Sequence, residues 1–513
     1  GHNGHGTQPP VGDIVQERIT ESVLPRISAD DDAATVQAEF LTILDRLHHD
    51  PSASQRDRKL RELLGSEATD AIIAGIETAG SIGDSTYYER MLELAGHQHP
   101  AVREAVAANL TDYSYEGVFD VVLGLLADPD PDVVSKAVEG LRNFAEPAQR
   151  GTMVAMLEKR PLSEWVGLMA ALSEVDERST MAEVLDASKN RLIQASRYLV
   201  AIDIMRDLDV SGELELLVDQ LKAQNRLVQD GVIRLLGHMS DVGVVNDLIE
   251  RLSEDDAEAR ENSIELLENI GDRELMEYLI PLLEDENPER RTIAAELSGW
   301  QNVDADGALR YLLTVPDPWT QLAAVWSIFV LDKQSLIPED GAGLDPLVQE
   351  ALSELQEQGV SVAAEEHLPL TTMDKITFLK QSQFFAALPL EELYHIASSM
   401  QEETVRAATT VIEEGTLGDK MYIVVRGTLE VCKAVADEGE KTQRIALLTE
   451  RQVFGDMALL DDEPRSASVV TVEDVHLLSL ERSSLERILR RYSSIAFNMM
   501  RILSRRLRDS MAA

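Results

Sequence analysis

The sequence predicts a multidomain chain, α followed by α+β: an α-solenoid, then an antiparallel β-roll with flanking helices. Three observations predict it. Apolar residues recur at helical spacing from about Val11 to Leu331, with almost no alternating strand pattern. Within that stretch a short motif returns about every 31 residues. From Met373 onward the pattern changes to short β-rich runs bounded by glycines. A chain of 513 residues with 44% hydrophobic content is long enough for two or more domains with sizeable cores.

Residues 1–10 are expected to be a disordered or tag-derived terminus, because Gly1-His2-Asn3-Gly4-His5-Gly6 has no apolar core of the kind a signal peptide needs. Residues 11–69 read as a helical lead-in or cap, with acidic punctuation at Asp30-Asp31-Asp32. The solenoid itself is expected over 70–335. Its clearest copies are Arg226–Leu236, Glu258–Leu267, Pro288–Leu297 and Pro318–Val325, with earlier ones at His99–Val106 and Asp130–Val138. In each copy an Asp-Pro or Asn-Pro pair breaks the preceding helix, and the proline suits the first turn of the next. Small Ala and Ser positions let that helix lie close to its neighbour, while Leu and Ile fill the groove. A second helix, such as Val244–Leu252, sits between copies. Two helices per unit, stacked in one direction, make a solenoid whose units contact mainly their neighbours.

This D-P-x-V-R-x-A-A-like pattern resembles HEAT repeats of the short bacterial kind. The resemblance implies a long surface for a protein partner. No catalytic cluster is visible here: His97, His99 and His238 lack carboxylate or cysteine partners at ligand spacing and read as surface or packed residues. Trp165, Trp300, Trp319 and Trp326 read as core.

Residues 336–372 are expected to be a linker with a helix. Ile337-Pro338-Glu339-Asp340-Gly341-Ala342-Gly343 is a turn-rich break, and Leu344 to Glu366 reads as one amphipathic helix and a loop. Residues 373–513 form the last domain. After a helical entry come strands at Thr409–Ile412, Met421–Val425, Thr428–Cys432, Arg444–Leu448 and Val475–Leu480, a pattern of a small antiparallel barrel or roll. In Glu414-Gly415-Thr416-Leu417-Gly418-Asp419, the two glycines are expected to take positive φ, and Gly427 to turn one strand into the next.

The most specific chemistry lies in Phe454-Gly455-Asp456-Met457-Ala458-Leu459-Leu460, followed by Pro464-Arg465-Ser466-Ala467-Ser468-Val469. Arg465 offers a planar fork of donors that matches the two free oxygens of a phosphate diester, which lysine cannot reproduce. Backbone N–H groups of the turn at Met457, Ala458 and Leu459 are placed to point at the same oxygens, as at a helix start. Gly455 permits close backbone approach, Ser466 offers a hydroxyl, and the Ala467 amide is a further donor.

These residues closely resemble the phosphate-binding cassette of the cyclic-nucleotide-binding family, which includes the bacterial catabolite activator and the regulatory subunits of cyclic-AMP-dependent kinase. The resemblance implies a cyclic-nucleotide-binding domain over 373–513. It also implies that the acidic residue after the glycine accepts from the ribose 2′-hydroxyl, a role that falls on Asp456. The family ordinarily has glutamate there, and aspartate is one methylene shorter. Ser466 does not settle the nucleotide; cyclic AMP (cAMP) is the first choice and cyclic GMP (cGMP) the second. A helix expected over about Ser493–Arg508 resembles the family's lid, with Ser510 near the base. That helix either dimerises through Ile495, Met499, Met500 and Ile502, giving a homodimer, or packs on its own roll. No helix-turn-helix is expected after it, which argues against direct DNA binding. HEAT repeats joined to such a domain also resemble the soluble part of bacterial ATP/ADP-translocase-like transporters.

Composition agrees with this reading. The formal net charge is -45, from 92 acidic and 47 basic residues, so the summed field repels nucleic acid and anionic membranes, and no nucleic-acid partner is expected. A salt-adapted (halophilic) bacterial or archaeal cytoplasm accounts for the excess better than a basic partner does. Cys432 is the only cysteine, so no disulfide framework and no cysteine metal site are expected, and no metal at all is implied. No run reaches the roughly 18 apolar residues of a membrane span, so direct membrane insertion is not expected of this chain. The expectation is therefore a non-enzymatic cyclic-nucleotide sensor, cytoplasmic or on the cytoplasmic side of a membrane transporter, that signals to a protein partner or a linked transporter domain. The alternative of another class is a constitutive HEAT-repeat scaffold with a vestigial pocket.

Overall fold

The structure is a computed structural model. It describes residues 53–82, 85–110, 117–142, 147–157, 160–172, 178–209, 212–239, 248, 251–252, 257–270, 272–284, 289–358, 369–381, 385–386, 388–434, 442–455, 464–492, 495–496 and 500. The chain divides into two compact units: Gly1–Ala155 with Gly167–Met181, and Met156–Val166 with Ala182–Ala513.

The first unit contains α1 (Ala53–Leu64), α2 (Thr69–Ile82), α3 (Tyr88–Leu94), α4 (Pro100–Leu110), α5 (Val118–Gly124) and α6 (Pro131–Arg142). Two further helices, α7 (Pro147–Met156) and α8 (Leu162–Leu172), follow. Leu60, Ile76, Val102, Val106, Val133 and Leu141 are fully buried and form its spine. The repeat motif acts as the sequence suggests. Pro100 and Pro131 open α4 and α6, and the Asp130 carboxylate accepts from the Asp132 N–H at 3.0 Å, satisfying a helix-start donor. His97 and His99 serve the turn before α4: their Nδ1 atoms accept from the His99 and Ala101 amides at 3.1 and 3.3 Å. The motif arginine has a part that spacing alone did not reveal. Arg103 is 4% exposed and forks onto Asp128, Nε to Oδ2 at 2.6 Å and Nη2 to Oδ1 at 2.8 Å. Its Nη1 donates to the His97 and Gln98 carbonyls at 2.8 and 3.2 Å, so one side chain stitches two successive turns together.

The second unit contains most of α9 (Arg178–Leu208), then α10 (Glu215–Met239), α11 (Ala257–Ile270), α12 (Arg273–Leu283), α13 (Arg290–Ser298), α14 (Ala305–Leu312), α15 (Pro318–Val330) and α16 (Pro346–Gln358). The four clear sequence copies fall on α10, α11, α13 and α15. Most of the second helix expected at 244–252 lies outside the described residues. Close approach at α10 depends on Gly231, where a Cβ would sit 2.3 Å from the Trp165 ring. Asp272, Asp304 and Asp317 cap α12, α14 and α15, each accepting from a first-turn amide at 2.7–3.1 Å. The linker helix, α16, buries Val348, Ala351, Leu352 and Leu355 and packs on α15, with Gln321 Oε1 accepting from the Asp345 amide at 2.9 Å.

The tryptophan expectation holds for two of the four. Trp165 and Trp326 are buried core residues. Trp300 is only partly buried and meets Tyr311 edge-on at 5.0 Å, while Trp319 is turned toward the β-roll. A helical period reports which face is apolar, not which neighbour covers it.

The roll begins with α17 (Thr372–Gln381) and α18 (Leu390–Ala397). Its strands are β1 (Gln401–Val405), β2 (Thr410–Ile412), β3 (Lys420–Arg426), β4 (Leu429–Ala434), β5 (Thr442–Leu448), β6 (Val453–Phe454), β7 (Ser468–Thr471) and β8 (Val475–Glu481), followed by α19 (Arg482–Arg491). They form two antiparallel four-stranded sheets, ordered β1-β8-β3-β6 and β2-β7-β4-β5. Ile412, Tyr422, Val424, Leu429, Phe454, Val469, Val475 and Leu477 form a buried cluster between them. β1, β6 and β7 were absent from the strand pattern. β1 is held to β8 instead by polar pairs, His476 with Glu402 at 3.1 Å and Ser479 with Glu403 at 2.7 Å.

Within this unit the roll meets the last solenoid helices through aromatic rings. Trp319 on α15 stands edge-on to Tyr394 at 5.5 Å and to His395 at 6.0 Å, and His395 stacks on Tyr492 at 4.3 Å. Lys380 pairs with Asp219 of α10 at 2.9 Å, and Glu354 of α16 accepts from the Thr372 amide at 3.1 Å. Burial raises the Glu391 carboxyl to about 7; Asp317 and Glu392 add to the shift, and a hydrogen bond from Trp319 opposes it. A carboxyl raised in the folded state binds its proton more tightly there than in the unfolded chain. It therefore withdraws stability as pH climbs from the ordinary carboxyl value of 4.5 toward 7. Glu391→Gln, which never ionises, is expected to stabilise this unit by about 1–3 kcal/mol at pH 8, with the gain shrinking as pH falls toward 5. Thermal melts at the two pH values check this; an equal gain at both would refute it.

No described helix is long and apolar enough to cross a membrane.

Candidate functional site

The candidate site is built by two loops of the roll that lie far apart in sequence. The first joins β2 to β3 and contains Gly415 and Gly418. The second follows β6 and returns through Arg465 into β7. They are laced by backbone: the Arg465 amide donates to the Thr416 carbonyl at 2.8 Å, and the Gly415 amide to the Arg465 carbonyl at 2.9 Å. Ser468 Oγ accepts from the Glu414 amide at 2.9 Å. Phe454 anchors the second loop by stacking on Tyr422 at 5.1 Å inside the roll's core.

These loops enclose a recess of about 330 Å³ lined by Ile412, Thr416, Gly418, Tyr422 and Arg465, among others. Arg465 lies along the wall. Its Nη1 donates to the Gly455 carbonyl at 3.0 Å and its Nη2 to the Lys420 carbonyl at 2.6 Å. Lys420 lines the same recess, but its ammonium pairs with Glu403 at 3.1 Å and Glu481 at 3.6 Å. The guanidinium thus lies on the recess wall, with Glu413 and Asp419 also lining the recess.

Two glycines make this geometry possible for different reasons. Gly455 combines φ +74 with close approach, since a Cβ there would lie 2.7 Å from Arg465 Nη1 and 3.1 Å from the Lys420 carbonyl oxygen. Gly415 and Gly427 have the expected positive φ, +80 and +96. Gly418 does not: its backbone is ordinary, and it is glycine because a Cβ would fall 2.1 Å from Arg465 Nε. The expectation of positive φ there is corrected to one of contact.

Of the sequence-predicted site residues, Arg465 lines the recess and Gly455 meets it through its carbonyl. Ser466 is exposed and Ala467 half-buried on the strand-ward side of Arg465. Asp456, Met457, Ala458, Leu459 and Ser510 lie outside the described residues, as does most of the helix expected over 493–508. The Gly455 and Lys420 carbonyls give Arg465 partners within the domain. Sequence reading missed Thr416, Tyr422 and the Lys420 carbonyl, although the run Glu414–Asp419 had marked the loop that leads into β3. Among the described residues, no group of three or more His, Cys, Asp or Glu is arranged to hold a metal ion.

Comparison with known proteins bears on this site. The family "Cyclic nucleotide-binding domain" matches residues 402–492, and "HEAT repeats" match 58–142 and 214–299. The chain is 35% identical over 132 residues to the cyclic AMP receptor protein of Thermus thermophilus, covering 26% of this chain and 60% of that one. It is 35% identical over 112 residues to the cAMP-dependent protein kinase regulatory subunit of Aspergillus fumigatus, covering 22% of this chain and 26% of that one. Among solved structures, the regulatory domain of Toxoplasma gondii PKA with cAMP is 30% identical, with a TM-score of 0.22 and coverage of 23% and 44%. The chain thus spans less than two thirds of the length of each. With the two sheets and the matched stretches agreeing, the chain carries HEAT repeats and, C-terminal to them, a cyclic nucleotide-binding domain.

Proposed function

We propose that this protein is a non-enzymatic cyclic-nucleotide sensor that works in the cytoplasm and passes the state of its β-roll to a HEAT-repeat interaction surface. The observation that carries the reading is Arg465, laid along the wall of a recess of about 330 Å³ against two glycines, Gly418 and Gly455, whose missing side chains leave it room, within the matched domain. Arg465 grips the cyclic phosphate, assisted by the amides of Met457, Ala458 and Leu459, by Ser466 and by the Ala467 amide. Gly455 lets the backbone close in, Asp456 takes the ribose 2′-hydroxyl, and Ser510 lies near the base. cAMP is the preferred ligand and cGMP the second. The listener is a protein partner or a linked membrane transporter domain. Such signalling requires the nucleotide to bind one arrangement of the two parts better than another, and the Trp319–His395–Tyr492 contact is one place where the parts touch.

Calorimetric titration with cAMP and cGMP tests this. Heat of binding at one site is expected, and Asp456→Glu is expected to bind equally or more tightly. Absence of heat at millimolar nucleotide with folded protein would refute the sensor. Gly418→Ala is expected to weaken binding by at least about tenfold with little change in melting temperature, because only the movable guanidinium stands in the way of the new methyl. A second reading, the constitutive scaffold with a vestigial pocket, is favoured by one observation: Arg465 is held by hydrogen bonds to the Gly455 and Lys420 carbonyls within the domain itself. The same titration separates the two.

A further inference from the structure

We propose that Arg197, Trp300 and Tyr311 form an anchor point on the solenoid that takes one carboxylate of an otherwise basic partner segment. This inference rests on the reading of the solenoid as an interaction surface and not on the nucleotide reading of the β-roll.

The three residues come from three elements. Arg197 lies on α9, Trp300 just after α13, and Tyr311 on α14. Gly299 takes φ +75 to end α13, and the Trp300 amide returns to the Ala295 carbonyl at 2.7 Å, so the indole stands on a fixed turn. Its ring meets Tyr311 edge-on at 5.0 Å. The Arg197 guanidinium lies over both rings, 6.0 Å from the centre of Trp300 and 5.1 Å from that of Tyr311. Rings hold a cation by attraction to their faces and use up none of its N–H donors.

Those donors are not spent elsewhere. Among the described residues, no carboxylate and no hydrogen-bond acceptor meets Arg197. One turn away on α9 stand Ile193, Gln194, Val200 and Ala201, none of them acidic, in a chain where acid outnumbers base 92 to 47. Other cations that bridge these helices are paired, Arg291 with Asp207 at 2.8 Å and Lys189 with Glu274. Nε of Arg197 is sealed, whereas its two Nη groups, the Trp300 Nε1–H and the Tyr311 hydroxyl are open to solvent and meet no partner among the described residues. A patch of donors without an acceptor is matched by an acceptor from outside, and a guanidinium fork held by rings suits a carboxylate. Arg, Trp and Tyr are also the residues in which the binding energy of interfaces concentrates. The rest of the partner follows from the field. A chain at net -45 repels a segment that is acidic throughout and attracts one that is basic around a single carboxylate.

The test uses the full chain as bait for a random dodecapeptide library at about 0.1 M salt, where close charge pairs survive screening. Enriched peptides are expected to be net basic with one recurrent Asp or Glu. The tightest is made in two forms, with that carboxylate and with a carboxamide in its place, and each is titrated into parent and variants. The carboxamide is expected to cost at least about tenfold against the parent and less than about twofold against Arg197→Gln, as a direct pair requires. Tyr311→Phe keeps the ring beside the guanidinium and removes only the hydroxyl. It is expected to weaken binding about threefold at an unchanged melting temperature. If Arg197→Gln fails to fold, Arg197→Lys, which keeps the charge and loses the fork, replaces it and is expected to cost at least about fivefold. Peptides that bind parent, Arg197→Gln and Tyr311→Phe alike would leave the solenoid an interaction surface and overturn this placement. Enriched peptides without a recurrent carboxylate would overturn it too. Enrichment of no peptide would overturn it together with the interaction-surface reading. Variants that melt lower yet bind as the parent does would make the three residues structural and overturn it equally.

Discussion

Replacing Arg465 by alanine is expected to weaken cyclic-nucleotide binding by about 100- to 1,000-fold while leaving the β-roll folded. Two charge-assisted hydrogen bonds to a phosphate contribute about 1.5–3 kcal/mol each. Against this stands the exchange that binding requires, because Arg465 must share or surrender its bonds to the Gly455 and Lys420 carbonyls. A net of roughly 3–4 kcal/mol is left, which corresponds to two to three orders of magnitude in affinity. The truncated side chain lies at the wall of an open recess, so the two carbonyls it leaves can be hydrated. Titration calorimetry of variant and parent, with a melting curve of each, reads both halves of the statement. Arg465→Lys is expected to recover less than half of the lost binding energy, since it restores the charge and not the fork. Unchanged affinity in Arg465→Ala would move the phosphate elsewhere. A collapse in melting temperature would make the residue structural.

Arg103→Met carries the largest expected effect on stability. The pair with Asp128 is buried, each side chain being 5% exposed, and the same guanidinium satisfies the His97 and Gln98 carbonyls. Breaking such a pair from one side leaves a buried charge without its counterion, at a cost of about 3–5 kcal/mol. In Asp128 the only compensation that persists among the described hydrogen bonds is the Asp130 amide at 3.0 Å. A fall of about 10 °C in the melting transition of the first unit is expected for a body of this size. The double change Arg103→Met with Asp128→Leu is expected to return a good part of the loss, because an apolar pair no longer buries a charge. Urea unfolding of the single and double variants decides it. A loss below about 1 kcal/mol in Arg103→Met would show that the pair is dispensable.

How much of this could be read from the chain depended on how local each determinant is. Asp130-Pro131 and Asp317-Pro318 announce helix starts because capping needs only neighbours, and both start helices where expected. β3 and β8 were legible as apolar runs bounded by turns. β1 was not, because Gln401-Glu402-Glu403-Thr404-Val405 is held by polar partners on β8 that only the fold supplies. The roles of Arg103 and Gly418 were hidden for the same reason: each is defined by a residue far along the chain, Asp128 in one case and Arg465 in the other. In the site, Gly455 and Arg465 were found from the motif, and their mutual contact is a matter of geometry. What periodicity misjudged was Trp319. Its helical spacing matched a core position, yet its partner is a ring on α18.

That placement gives the molecule an optical property of its own. Of the four tryptophans, Trp165 and Trp326 are sealed in the solenoid, whereas Trp319 shares an edge with the imidazole of His395, which in turn lies flat on Tyr492 just past α19. Imidazole is a quencher of indole emission at contact range, and more so when protonated. Any movement of the segment after the roll that slides Tyr492 off His395 also changes what surrounds the indole. The protein therefore carries an unlabelled fluorophore at the seam between its two kinds of architecture, and its emission is a readout of that seam.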